Sequence, residues 1–304
     1  MTGSPRSGTT WVGQMLAKDH RLYYVHEPFN PASKYVKKHY NLRLNQHFIH
    51  ICDENSQQYY SAITDLINGK YNLLNALTYA RSLQDLRSTF REWRQTTVQK
   101  NKGILPLIKD PIALMSAEWL YNNFDIRCVV LIRHPAAFVS SMKRLNWVSH
   151  PENWALSQPL LIRDFLKPLE SEINALRTGE HDIIERAALA WKIHHLVISK
   201  YYAKHEDWIF LRHEDISKTP MDSFEKLYHS LGLTFNNEIR QIINEHSSET
   251  NPDSSTGKDK PIRLNSQQNI SSWKKRLASD EVARIRDSVE DISTQFYSDD
   301  DWLT

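Results

Sequence analysis

Cysteine is almost missing from this chain: Cys52 and Cys128 are the only two in 304 residues. That excludes a disulfide framework and fits a reducing, cytoplasmic setting. Cys128 lies inside the apolar run Ile126–Ile132, where a buried free thiol is expected. No run approaches the ~20 apolar residues needed to span a bilayer, and no segment reads as a signal peptide. A strong charge of either sign is lacking too: the formal net charge is +2. A general nucleic-acid binder needs a concentrated basic face, so nucleic acid is not an expected partner. Internal repeats and long charge runs are also absent.

What is present suits one domain over 1–304, with 40% hydrophobic residues for its core. Leu22–Val25, Ile104–Ile108, Ile126–Ile132 and Trp208–Leu211 read as strands. Val129 to Ile132 is apolar on both faces, as a central parallel strand should be. Helical spacing recurs over Thr10–Leu16, Tyr71–Arg94, Ala187–Tyr202, Ser223–Leu231 and Asp280–Phe296. The alternation predicts an α/β fold with a central, mostly parallel sheet between helical layers. Residues 29–100 exceed what a crossover needs and are expected to form a helical cap. The polar stretch 246–271 is expected to be a functional loop. The first motif arrives at Gly3, so its feeding strand is either a stub or incomplete upstream, and an upstream anchor stays open.

Gly3-Ser4-Pro5-Arg6-Ser7-Gly8-Thr9-Thr10 precedes a helix and has the chemistry of a phosphate loop. Gly8 permits a tight turn, while the amides of Ser7 to Thr10 meet at a helix N-terminus, where the dipole favours an anion. Thr9 and Thr10 add hydroxyls, and Arg6 adds a guanidinium fork. The loop lacks the lysine that follows the last glycine of a nucleotide triphosphatase P-loop. Val129–Ile132 ends in Arg133 rather than the aspartate that holds magnesium. Arg133-His134-Pro135 leaves that strand, and Ser141 follows on the next helix. This pair suits a second phosphate at the same carboxyl-end rim of the sheet.

Together these segments resemble the sulfotransferases that use 3′-phosphoadenosine-5′-phosphosulfate (PAPS). Pro5-Arg6-Ser7-Gly8-Thr9-Thr10-Trp11 resembles their 5′-phosphosulfate loop, and Arg133 with Ser141 is similar to their 3′-phosphate motif. Lys109-Asp110-Pro111 is similar to a segment of tyrosylprotein sulfotransferases. His26-Glu27-Pro28 looks like the acceptor-side glutamate region of carbohydrate sulfotransferases. Arg212-His213-Glu214-Asp215 resembles a Tyr-Glu-Asp stretch, with His213 in place of tyrosine. Ser271-Ser272-Trp273-Lys274 looks like the loop that closes over the nucleotide. Cytosolic small-molecule members carry lysine at the position of Arg6 and a histidine near Lys109. Those departures point toward the carbohydrate and tyrosylprotein branches.

The resemblance implies a P-loop-like fold, PAPS as donor, and transfer of its sulfuryl group to an acceptor hydroxyl. A saccharide is the first expectation for the acceptor and a protein tyrosine the second. Arg6, Ser7, Gly8, Thr9, Thr10, Arg133, Ser141, His213, Ser272 and Lys274 are the expected nucleotide-binding residues. Arg6 and Lys109 are expected to steady developing charge, and Glu27 to serve as the base. His26 competes with Glu27, because neighbours on a strand point to opposite faces. No metal is expected: none of the fourteen histidines joins cysteine or aspartate at zinc-site spacing. Two other classes remain open, a metal-dependent P-loop kinase or NTPase and a non-catalytic nucleotide-binding protein.

Overall fold

The computed structural model describes residues 1–248, 251 and 270–303. The expected 246–271 loop therefore lies largely outside the described residues. Five parallel strands form the centre: β1 (Thr2–Gly3), β2 (Leu22–His26), β3 (Leu105–Lys109), β4 (Val129–Ile132) and β5 (Ile209–Arg212). They make two ladders, β2-β3 and β1-β4-β5. Met1 closes the seam, its nitrogen donating to the Ile108 carbonyl (2.8 Å) and its carbonyl accepting from Asp110 (3.0 Å). The strands thus run in the order β2-β3-β1-β4-β5.

Alternation along β4 builds the layers. Val130 and Ile132 pack into a core with α7 (Pro135–Leu145), α11 (Ile183–Lys204) and the late helix Ser279–Ser293. Val129 and Leu131 face the other way, onto α1 (Thr9–Leu16), α13 (Pro220–Ser230) and α14 (Asn237–Ser247). A strand wholly buried between two helical layers needs apolar residues at consecutive positions, and all four of these are buried. Cys128, just before β4, is a buried free thiol whose pKa burial pushes up to about 11.

β1 is short, and its approach to β4 is close. A Cβ on Gly3 (φ 145°) would stand 2.3 Å from the Leu131 carbonyl oxygen. Backbone on both sides prevents relief. Gly3→Ala is therefore expected to destabilise the chain by ~3 kcal/mol, seen as a lower denaturant midpoint.

Between β2 and β3 lie α2 (Lys34–Tyr40), α3 (Gln57–Ile67), α4 (Leu73–Leu77) and α5 (Leu83–Asn101). The single helix expected over Tyr71–Arg94 is broken. Ser82 restarts it as an N-cap, its hydroxyl accepting from the Asp85 amide at 3.1 Å, while Asp85 accepts from the Arg81 amide. Leu74 and Leu83, apolar members of that pattern, are 80% and 77% exposed. The β4 ladder also starts at Val129 rather than Ile126. After β3, α6 spans Ala117–Asn123; after α7, the short α8 (Pro151–Trp154), α9 (Pro159–Leu161) and α10 (Glu170–Ala175) precede α11. The last helix before α13 is α12, His213–Lys218.

Candidate functional site

A cavity of about 1120 Å³ opens at the carboxyl ends of β1, β3, β4 and β5. Arg6, Gly8, Thr9, Thr10 and Trp11 form one wall, from the loop after β1 and the first turn of α1. Gly8 is the N-cap of α1 at φ 87°, and a Cβ there would stand 2.5 Å from His213 Nδ1. Only glycine fits both the left-handed turn and that contact. The first-turn amides of α1 have no intrahelical acceptor and point outward from the helix start.

Arg133 leaves β4 into the same cavity, and Ser141 enters it from α7. The two sequence motifs touch: Arg6 Nε donates to Ser141 Oγ at 3.0 Å, and Arg133 Nη1 donates to the Arg6 carbonyl at 2.6 Å. The Arg133 carbonyl is held by Trp191 Nε1 at 2.8 Å. Glu214, buried, accepts from the His134 amide and from the Tyr297 hydroxyl, which anchors the start of α7.

Two arginines that the sequence reading missed, Arg144 and Arg276, complete the cationic wall. Arg144 sits three residues beyond Ser141 on α7, a spacing that shares a helix face and was legible. No local signal marks Arg276. Among the described residues, none of Arg6, Arg133, Arg144 and Arg276 makes a carboxylate ion pair. Burial, then Arg133 and Arg144, pull the Arg6 pKa down to about 10, which leaves it charged at neutral pH. Burial also lowers the Arg133 pKa. Arg133 is buried, with the Glu214 carboxylate only partly offsetting its burial, and Arg6 is half-buried; guanidinium groups held this way are costly unless an anion joins them.

Glu27 lies past the end of β2, at φ 44°, with its amide bonded to the Lys109 carbonyl (2.9 Å). The strand-alternation argument for choosing between Glu27 and His26 therefore does not apply. Glu27 lines the cavity, whereas the half-exposed His26 ring stacks on Tyr24. Lys109, fully buried, donates to Glu27 Oε1 at 2.6 Å and meets the cavity only through that carboxylate. Burial works to raise the Glu27 pKa, but the Lys109 hydrogen bond and charge, aided by His26, bring it below the usual value. Asp110 ties the turn down: it accepts from the Phe29 and Ile112 amides, and burial lifts its pKa to about 7.

His213 lines the cavity from the start of α12, edge-on to Trp11. Burial, then Arg133, drive its pKa well below the usual histidine value, so it is neutral. Ser7 is buried beneath the loop. Ser272 and Lys274 stand apart from the cavity. Trp273 is buried against His134, which turns Lys274 outward to donate to the Leu303 carbonyl (2.6 Å). The cavity is also lined by Asn45, Gln46, Phe48, Asn146, Trp154 and Trp147, whose ring lies 5.5 Å from the Arg6 guanidinium. Left-handed backbone concentrates around it. Of five described non-glycine residues at positive φ, Arg6, Glu27, Phe48 and Asn146 line this cavity, and only Asn41 does not. Such conformations cost ~1–3 kcal/mol each and gather at functional places.

The comparisons with known proteins follow this geometry. The family model described as "Sulfotransferase family" matches residues 1–237. No curated protein matches the chain. The sulfotransferase domain of the Synechococcus PCC 7002 olefin synthase is 15% identical, with 98% of this chain and 93% of that one covered and a TM-score of 0.49. For the sulfotransferase domain from the curacin biosynthetic pathway the values are 15%, 95%, 95% and 0.47. For the sulfotransferase STF9 from Mycobacterium avium they are 14%, 97%, 75% and 0.44. With the family model spanning the loop, β4 and the start of α12, the chain belongs to the sulfotransferase family.

Proposed function

We propose that the chain transfers the sulfuryl group of PAPS to a hydroxyl of an uncharged acceptor, a saccharide before a protein tyrosine. The observation that carries this reading is the set of four arginines, without carboxylate ion pairs among the described residues, lining one cavity together with the first turn of α1. The residues fit an anionic nucleotide. Among the described residues, buried Trp11 Nε1, Arg133 Nε and His213 Nδ1, all from residues lining the cavity, have no hydrogen-bond partner. Unspent donors and acceptors at a cavity wall point to a ligand.

PAPS supplies an activated sulfuryl group and a stable leaving anion. In this reading Arg6 and the first-turn amides of α1 hold the 5′-phosphosulfate end. Arg133, Ser141 and Arg144 hold the 3′-phosphate, and His213 adds a neutral hydrogen-bonding ring. Ser272 and Lys274 are not assigned to the nucleotide, and Arg276 takes their place. Glu27 receives the acceptor hydroxyl's proton, and Lys109 keeps that carboxylate ionised and oriented. The segment 29–100 serves as a cap over the acceptor end. Asn45, Gln46, Asn146 and Asn153 offer neutral amides in the same cavity as the Phe48 and Trp154 rings, which suits a sugar's hydroxyls and its apolar face. No formal charge among these groups would favour an acidic tyrosine peptide.

Calorimetry with phosphoadenosine phosphate, followed by radiolabelled PAPS with oligosaccharides, tyrosine peptides and phenols, tests the proposal. Nucleotide binding and a labelled saccharide are expected. Magnesium-dependent loss of the ATP γ-phosphate would instead favour a kinase or NTPase, and binding without transfer to any acceptor a non-catalytic protein.

A pH profile tests the role of Lys109. Glu27 must be ionised, so kcat/KM should fall only as pH drops through a value below the ordinary ~4.3. In Lys109→Met the counter-charge is gone and burial acts unopposed by it. The acid limb is then expected to move upward by about one pH unit or more. An unmoved limb would remove Lys109 from this role.

A further inference from the structure

A second cavity, of about 320 Å³, is lined by His50, Cys52, Met115, Glu118, Asp164 and Lys200. A ring nitrogen of His50, the sulfur of Cys52 and a carboxylate oxygen of Asp164 lie within 4.8 Å of one another. His50 is only 6% exposed, and both of its ring nitrogens face acceptors. Nδ1 lies 2.8 Å from the Met115 carbonyl oxygen, and Nε2 lies 2.9 Å from Asp164 Oδ2. A neutral imidazole has one N–H for these two acceptors. With that proton on Nδ1 and given to the carbonyl, the Nε2 lone pair is left for a cation shared with the Asp164 carboxylate. A backbone carbonyl on one nitrogen is the usual support of a metal-ligating histidine.

Asp164 is supported in the same manner. Arg163 Nε donates to Oδ1 at 2.6 Å and its Nη2 reaches Oδ2 at 3.2 Å, while Glu54 pairs with that guanidinium. The residue stands in a π-helical turn, Ile162–Leu166, whose Asp164 and Phe165 carbonyls accept from Lys200 Nζ. Such turns are rare and occur largely at functional places. The segment carrying His50 and Cys52 is equally held: the His50 amide donates to Gln158 Oε1 (2.8 Å), Ile51 to Ser116 Oγ (3.0 Å) and Cys52 to Asn55 Oδ1 (2.9 Å).

We propose that His50, Cys52 and Asp164 form a zinc-binding site with its fourth position open to water in the second cavity. The donors are one imidazole, one thiolate and one carboxylate, a set suited to zinc. The two anionic ligands balance the dication. A bare His50–Asp164 ion pair would account for the nitrogen but leave the sulfur beside it without a role. Gln158 also donates to the Phe48 carbonyl (3.1 Å), so the ion would brace the segment that carries Asn45 to Phe48 into the main cavity. Its role is to hold that wall, outside the transfer chemistry, and the inference does not depend on PAPS as the donor. Sequence spacing hid the site: Asp164 is 114 positions from His50.

Zinc chloride alone, added to the chelator-stripped full chain and followed by metal analysis and competition with a chromophoric chelator, tests this. One zinc per chain is expected, and the cobalt-loaded protein should show thiolate-to-cobalt charge-transfer absorption. Cys52→Ser should bind at least ~100-fold more weakly and lose that band, and Arg163→Gln should bind ~10-fold more weakly. Cys52 is half-buried, so its serine variant should keep the wild-type circular dichroism and nucleotide affinity. Zinc uptake that is absent, or equal in wild type and Cys52→Ser, would overturn the proposal, as would bound cobalt without the sulfur band.

Discussion

Glu27→Gln should lower turnover by ~10²–10⁴-fold while leaving phosphoadenosine phosphate affinity unchanged. Glutamine keeps the size of the side chain and still accepts the Lys109 hydrogen bond that now measures 2.6 Å. It cannot take a proton. The nucleotide end of the cavity is formed by other elements, so affinity should be indifferent to the change. His26→Ala is the control, since that ring lies on Tyr24 and outside the cavity wall. Wild-type turnover in Glu27→Gln, with loss in His26→Ala, would transfer the role to the histidine.

Arg133→Met should weaken phosphoadenosine phosphate by roughly 10²-fold, about 3 kcal/mol, without lowering the melting temperature. The two effects differ because the guanidinium is buried and, among the described residues, makes no direct carboxylate ion pair, the Glu214 charge only partly offsetting its burial. In the free protein it bears a desolvation penalty, which an anion relieves and methionine does not incur. Its hydrogen bond to the Arg6 carbonyl is a smaller loss. Titration calorimetry and thermal unfolding on the same sample separate the outcomes. An affinity within about twofold of wild type would show that this arginine does not hold the nucleotide.

Much of this molecule was readable before any coordinates. Apolar residues at every position of 129–132 announced a strand covered on both sides, and β4 is that strand, with its odd and even members in different cores. Gly8 before the paired threonines announced a turn into a helix that begins at Thr9. These are local properties, since steric preference and side-chain period act over a few residues. The break between α4 and α5 was equally local, and the Ser82 cap was passed over because the leucine spacing continued across it.

Convergence over long separations was not readable. Arg276 joins Arg6 at one wall while Lys274, two residues earlier, turns away beside the buried Trp273. Glu27 faces the cavity through a left-handed residue beyond the strand end, which period-two alternation cannot anticipate. Asp164 meets His50 through a π-helical turn that no simple periodicity encodes. Residue order dictates which segments become strands and helices and which side of each is apolar. Which polar groups share a pocket follows from packing and from a few unusual backbone angles, and those arise only once distant segments are pressed together.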